Sequence, residues 1–133
     1  FISVCDRDKR HILPIARTIQ RLGFRIVSTE GTARTLRGGN VRCEVVRKIS
    51  EPHPNIGDMI SNGEIALIVN TPYGSETRGD GYFMRTEAVK HGVTCVTALS
   101  GASAFTAALE ALDENPYGLP VVALQDLPQH EVK

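Results

Sequence analysis

Five short runs rich in β-branched residues alternate with longer stretches whose apolar residues recur at helical spacing, and that alternation restricts the chain to one broad architecture. The runs cover residues 1–5, 24–28, 42–47, 65–70 and 93–98. Between them the spacing predicts a first helix with Asp8 as N-cap, Ile12, Ile15, Ala16, Ile19 and Leu22 on one face, and Gly23 closing it. Further helices are expected over 32–37, stopped by Gly38-Gly39, over 55–62 after a loop with Pro52 and Pro54, over 82–91 closed by Gly92, and over 100–112. Residues 71–79 read as a loop and 121–124 as an added edge strand. Strand and helix in this order give an α/β fold: one doubly wound, Rossmann-like three-layer domain with a five-stranded parallel sheet flanked by helices. The fourth run is apolar throughout, which suits a central strand covered on both faces. The 133 residues fit one domain, with a core over 1–112 and a C-terminal extension over 113–133. Phe1-Ile2-Ser3-Val4 reads as a strand already under way, so the chain is expected to be a fragment of a longer protein.

Charge and composition remove several functions. Fifteen basic and fifteen acidic residues cancel, with no block of like charge. Nucleic-acid affinity is largely electrostatic, so no nucleic-acid partner is expected. The longest apolar run, residues 65–69, is too short to cross a bilayer. Cys5, Cys43 and Cys95 are odd in number, widely spaced and set in apolar runs, the pattern of buried reduced thiols in a cytoplasmic protein. His11, His53, His91 and His130 show no metal-ligand spacing, and no metal or cofactor is expected in this domain.

Doubly wound sheets bind ligands beyond the carboxyl ends of their strands, where strand order reverses. Lys9 follows the first strand, Thr29-Glu30-Gly31-Thr32 the second, Lys48 the third, and Asn70-Thr71 close the fourth. Gly31 allows a tight turn and a close backbone approach, and the helix that follows offers free N–H groups and a positive dipole end to an anion. Hydroxyls of Thr29 and Thr32 add hydrogen bonds to phosphate oxygens, and Lys9 and Lys48 supply countercharge. Taken singly, Thr32 reads equally as a helix cap, the two lysines as solvated surface groups and Asn70 as a turn residue. Their convergence on one edge points to a pocket for a phosphorylated small molecule.

A family resemblance rests on residues spread along the chain. Ser3-Val4, Asp8-Lys9, Leu22-Gly23-Phe24, Thr29 to Ala33, Lys48, Asn62-Gly63-Glu64, Ile68 to Thr71, Asp80 with Arg85 five residues on, and Thr97-Ala98-Leu99 occur in order. The set resembles the C-terminal allosteric domain of carbamoyl-phosphate synthetase large subunits, a methylglyoxal-synthase-like fold. The resemblance implies a domain that is not itself catalytic. It implies a nucleotide monophosphate effector, UMP or IMP, held by Lys9, Thr29, Thr32, Lys48, Asn70 and Asp80. It also implies partners: catalytic domains of the same large subunit, which use ATP with Mg or Mn, and a glutaminase small subunit, in a glutamine-hydrolysing ligase serving pyrimidine and arginine synthesis. Two positions depart from the pattern. Pro72 stands where relatives carry a second effector-touching threonine, and Cys95 where some carry a tyrosine near ornithine, although Thr97 on that ornithine side is kept.

Three other functions share parts of the pattern. Methylglyoxal synthase would need a carboxylate base where this chain has Glu51-Pro52-His53-Pro54-Asn55, and a histidine near Thr77. The IMP cyclohydrolase domain resembles Ser3-Val4 through Thr32-Ala33 and fits the later Asn62-Gly63-Glu64 and Asn70-Thr71 segments poorly. The third alternative is an interaction domain that binds no ligand.

Overall fold

The computed structural model describes residues 1–71, 77–115, 117–118 and 121–126. Its elements run β1 (Ile2–Val4), α1 (Ile12–Arg21), β2 (Val27–Ser28), α2 (Glu30–Gly38), β3 (Glu44–Val45), α3 (Ile56–Ser61), β4 (Leu67–Thr71), α4 (Thr77–Lys90), β5 (Thr94–Val96) and α5 (Leu99–Glu114). The five strands form one all-parallel sheet in the order β3-β2-β1-β4-β5. Ile2 stands opposite Ser28 on one side and opposite Val69 on the other, so β1 is the central strand. The order runs outward from β1 to β3, then restarts at β4 across β1. That reversal separates the two halves of the sheet at the carboxyl ends of β1 and β4.

Alternation along the strands feeds two cores. Ile2, Val4, Ile26 and Val69 pack on one face with Ile12, Ile15, Ala16 and Ile19 of α1, Leu36 of α2 and Ala102 of α5. Phe1, Val27 and Ile68 pack on the other with Ile56 and Ile60 of α3 and Met84 and Ala88 of α4. Right-handed crossovers require this division: α1 and α2 carry the chain one way across the sheet, α3 and α4 the other way beneath it. An ion pair between Arg21 and Glu110 ties α1 to α5 at the surface.

Several expected boundaries move. The first helix opens at Ile12 rather than near Asp8, whose carboxylate is taken up by tertiary partners, and Pro14 falls in its first turn where a missing N–H costs nothing. Gly23 (φ 88°) and Gly92 (φ 67°) close α1 and α4 in the left-handed region, as expected. The second helix starts at Glu30, because Thr29 is extended (φ −71°, ψ 154°) and its carbonyl already accepts the Ala33 N–H at 2.8 Å. Most of the expected 71–79 loop lies outside the described residues, but α4 begins at Thr77, which puts Asp80 on a helix. The expected strand over 121–124 is absent: Val121 and Val122 are exposed and the chain turns through a 3-10 helix at Leu124–Asp126. All three cysteines are free and half-buried rather than buried, since Cys5 lies past the end of β1 and Cys43 and Cys95 lie at the two sheet edges.

Because each face has its own core, each should carry stability separately. Ile12→Ala and Ile60→Ala, both at fully buried positions, are each expected to cost about 2–5 kcal/mol in urea unfolding, with effects that add in the double variant.

Candidate functional site

Where the strand order reverses, a cavity of about 510 Å³ opens over the carboxyl ends of β1 and β4. Its walls come from five separate segments: the turn after β1 with Lys9, the amino end of α2 with Thr29, Gly31 and Thr32, the segment after β3 with Lys48, the end of β4 with Asn70 and Thr71, and the first turns of α4 with Asp80. All eight residues singled out from the sequence line this one space. Thr97 does not: it follows β5 and is exposed. Pro72 lies outside the described residues, as does the side chain of Thr77.

The amino end of α2 is fastened to β1 by three hydroxyls. Ser28 donates to the Ile2 carbonyl at 2.7 Å. Thr29 Oγ1 lies 3.2 Å from Ser3 Oγ. Thr32 Oγ1 accepts the Val4 N–H at 3.1 Å and donates to the Val4 carbonyl at 3.4 Å. The sequence reading gave the Thr32 hydroxyl to a ligand; the structure commits it to the backbone of β1, and Thr32 is 2% exposed. Thr29 occupies the N-cap position of α2, yet its hydroxyl makes no cap bond. What α2 turns toward the cavity is therefore main chain, with the first N–H groups lacking a partner within the helix and the positive end of its dipole.

Gly31 also plays a part different from the one expected. It sits in the first turn of the helix at negative φ, not in a tight turn. A Cβ there would stand 3.5 Å from Lys9 Nζ, an ordinary contact, so the Lys9 ammonium overhangs the amino end of α2. Lys9 is paired with Asp6 at 2.5 Å. Lys48 is exposed, and its backbone N–H donates to Glu51 Oε2 at 2.5 Å.

The turn that carries Lys9 is anchored by a residue read from sequence only as a helix cap. The Asp8 carboxylate is nearly buried and accepts from Cys5 Sγ at 3.2 Å and Arg7 Nε at 3.3 Å. A hydrogen bond from the Thr71 hydroxyl holds its carboxyl below the ordinary 3.8, with Cys5 and Arg7 acting the same way against the opposing effect of burial. The Cys5 N–H in turn reaches both the carbonyl (3.1 Å) and the hydroxyl (3.2 Å) of Thr71. Asp8 thus closes a knot between the β1 turn and the end of β4. Local sequence does not show that Asp8 and Thr71 meet in this knot, or that Ser3 and Met84 line the cavity, because the partners lie at distant sequence positions.

The segment after β3 has its own fastening. Asn55 caps α3, accepting the Gly57 N–H at 2.8 Å, and Asp58 accepts the Asn55 N–H at 2.7 Å. His53 Nδ1 lies 2.8 Å from both Asp58 oxygens. The Asn55 N–H first, then His53, hold the Asp58 carboxyl below its ordinary value. Neither His53 nor Asp58 lines the cavity; among the described residues its carboxylates are Asp6 and Asp80. Among the described residues no group of three or more His, Cys, Asp or Glu could hold a metal ion, and no helix is long and apolar enough to cross a membrane.

The fold and this cavity define a class: doubly wound α/β domains with a pocket at the switch point of the sheet. Residues 11–97 match the family model described as "MGS-like domain", and the chain belongs to that family. It is 50% identical over 127 residues to the carbamoyl phosphate synthase large chain, C-terminal section, of Methanopyrus kandleri, covering 95% of this chain and 23% of that one. The corresponding section from Methanocaldococcus jannaschii is 42% identical over 128 residues, covering 96% and 20%. The carbamoyl phosphate synthase large chain of Xanthomonas axonopodis pv. citri is 41% identical over 127 residues, covering 96% and 11%. The chain thus spans less than a quarter of the length of these curated relatives. Among solved structures, "Crystal structure of ForH" superposes with a TM-score of 0.60 over 90% of this chain and 83% of that one at 22% identity, a likeness of fold.

Two outcomes follow from the fastenings. Thr32→Val keeps the shape but orphans the Val4 N–H, and is expected to cost about 1–3 kcal/mol in urea unfolding. Asp8 and Asp58 both have folded-state pKa values below their unfolded ones, so the native state binds fewer protons. Their contribution is present above the ordinary 3.8 and is lost as pH falls through it. The carboxylate contribution to the melting temperature is expected to hold down to about pH 5 and then drop, and Asp8→Asn should flatten that drop.

Proposed function

We propose that this chain is the effector-sensing regulatory domain of a carbamoyl phosphate synthase large chain, and that the cavity over β1 and β4 takes a phosphorylated effector, a nucleoside monophosphate such as UMP or IMP. The observation that carries the reading is the amino end of α2: a nine-residue helix whose N-cap hydroxyl is turned away, facing a cavity that also holds Lys9 and Lys48. Uncapped N–H groups, a helix dipole and two ammonium groups form an arrangement suited to a dianionic phosphate. Asp80 on the opposite wall supplies an acceptor for hydroxyl or N–H groups on the rest of the ligand. The names of the relatives supply the enzyme.

In this reading the domain binds and does not turn over. Its partners are the catalytic domains of the same large chain, which use ATP with Mg or Mn, and a glutaminase small subunit, together feeding pyrimidine and arginine synthesis. An effector that prefers one arrangement of this domain against its neighbours shifts the enzyme by that differential affinity, typically about 1–3 kcal/mol. Elimination of phosphate from dihydroxyacetone phosphate would instead need a free carboxylate base over the substrate. The segment that would carry it is occupied otherwise: His53 pairs with Asp58 and Asn55 caps α3.

Calorimetric titration with UMP, IMP, ornithine and dihydroxyacetone phosphate, the last assayed for methylglyoxal release, tests the reading. Saturable binding of a nucleoside monophosphate without triose phosphate turnover is expected. Lys9→Ala and Lys48→Ala should each weaken it about tenfold, with a smaller salt dependence. Turnover of the triose phosphate would sink the regulatory reading, and absence of all binding would favour an interaction domain.

A further inference from the structure

We propose that Ser3 is a positioning residue of the cavity: by engaging the Thr29 hydroxyl, it keeps Thr29 from capping α2 and so keeps the helix's amino end open to an anion. This rests on the reading of the cavity as an anion site.

Thr29 has everything an N-cap needs except the direction of its side chain. Its backbone is in the extended region proper to that position (φ −71°, ψ 154°), and its carbonyl accepts the Ala33 N–H at 2.8 Å. A threonine so placed ordinarily turns its hydroxyl onto the N–H of the second or third helical residue, here Gly31 or Thr32. The Thr32 N–H already reaches the Thr29 carbonyl at 3.1 Å. The Thr29 hydroxyl makes no such cap and lies 3.2 Å from Ser3 Oγ. Asn55 shows the alternative in the same molecule, with its side chain on the Gly57 N–H at 2.8 Å. Thr29 is nearly buried at the cavity wall, and without Ser3 its hydroxyl is expected to turn to the helix N–H groups, the partners its N-cap backbone already favours. Ser3 and a ligand oxygen therefore act on the same side: each keeps the Thr29 hydroxyl and the α2 N–H groups apart.

The proposal predicts an unusual pairing of effects, a weaker site in a protein that is no less stable. Ser3→Ala, Thr29→Val and the double variant are compared by calorimetry with UMP and with inorganic phosphate, and by thermal melting without ligand. Ser3→Ala is expected to bind about fivefold more weakly, the factor that corresponds to competition from one cap, with a melting temperature equal to or above that of the unaltered protein. In the Thr29→Val background, where no hydroxyl remains to cap, Ser3→Ala should change neither quantity further. Unchanged affinity in Ser3→Ala, a lowered melting temperature, or a full further loss of affinity in the double variant overturns it. Should neither probe bind the unaltered protein, the sensing reading fails by itself. Melting then decides the positioning role: a rise in Ser3→Ala that Thr29→Val abolishes supports it, and any other pattern overturns it.

Discussion

The hydroxyls of Ser28, Thr29 and Thr32 fasten the amino end of α2 to three consecutive residues of β1, and the geometry around the cavity depends on that seam. β1 and β2 share only the Ile2–Ser28 register pair, so backbone pairing alone would hold the two strands loosely. Side-chain hydroxyls extend the attachment past the end of β2 and into the helix. They fix the height and direction of α2 above the sheet edge. On the other flank β1 meets β4 through Cys5 and Thr71, with Asp8 clamping both. The central strand is thus held on both sides at its carboxyl end, where a doubly wound sheet would otherwise splay.

Exposed ion pairs such as Arg34–Glu30, Lys90–Glu87 and Arg25–Glu44 are spread over the surface and contribute little to stability. At the cavity the balance differs in kind. The positive end of α2 is fixed main chain, which no rotamer change can withdraw, and the Lys9 ammonium is held above it. In the proposed reading, a neutral chain thus presents a localised anion site without a basic surface.

Much of this was legible in the sequence, and the reason differs by feature. The strand–helix alternation and the two-faced burial follow from periodicity, which is local. Apart from Asp80, which came from the family resemblance, the expected cavity residues followed from a topological rule that needs only the strand ends. The rule found Lys48 and Asn70 without any knowledge of their neighbours. What it could not reach was which partner each hydroxyl or carboxylate takes. Thr32 looks identical in sequence whether its hydroxyl faces a ligand or β1. Asp8 looks like a helix cap because the residue that claims it, Thr71, is far along the chain. The expected strand at 121–124 failed for a related reason: β-branched residues make a strand only where an edge is available to pair with them.

The polar residues of the cavity wall belong to neither core, although Val4 and Met84 line the cavity and fill a core at once. Lys9, Gly31, Lys48 and Asp80 stand at loop ends and helix starts, while Ile12, Leu36, Ile60 and Ile68 beneath them fill the interior. In the proposed reading, the residues that meet a ligand are mostly not those that fill the cores, so a few changes at the rim could exchange one ligand for another and leave most of the buried framework untouched. The seam on β1 marks the boundary of that freedom, because a residue such as Thr32 belongs to both the rim and the framework.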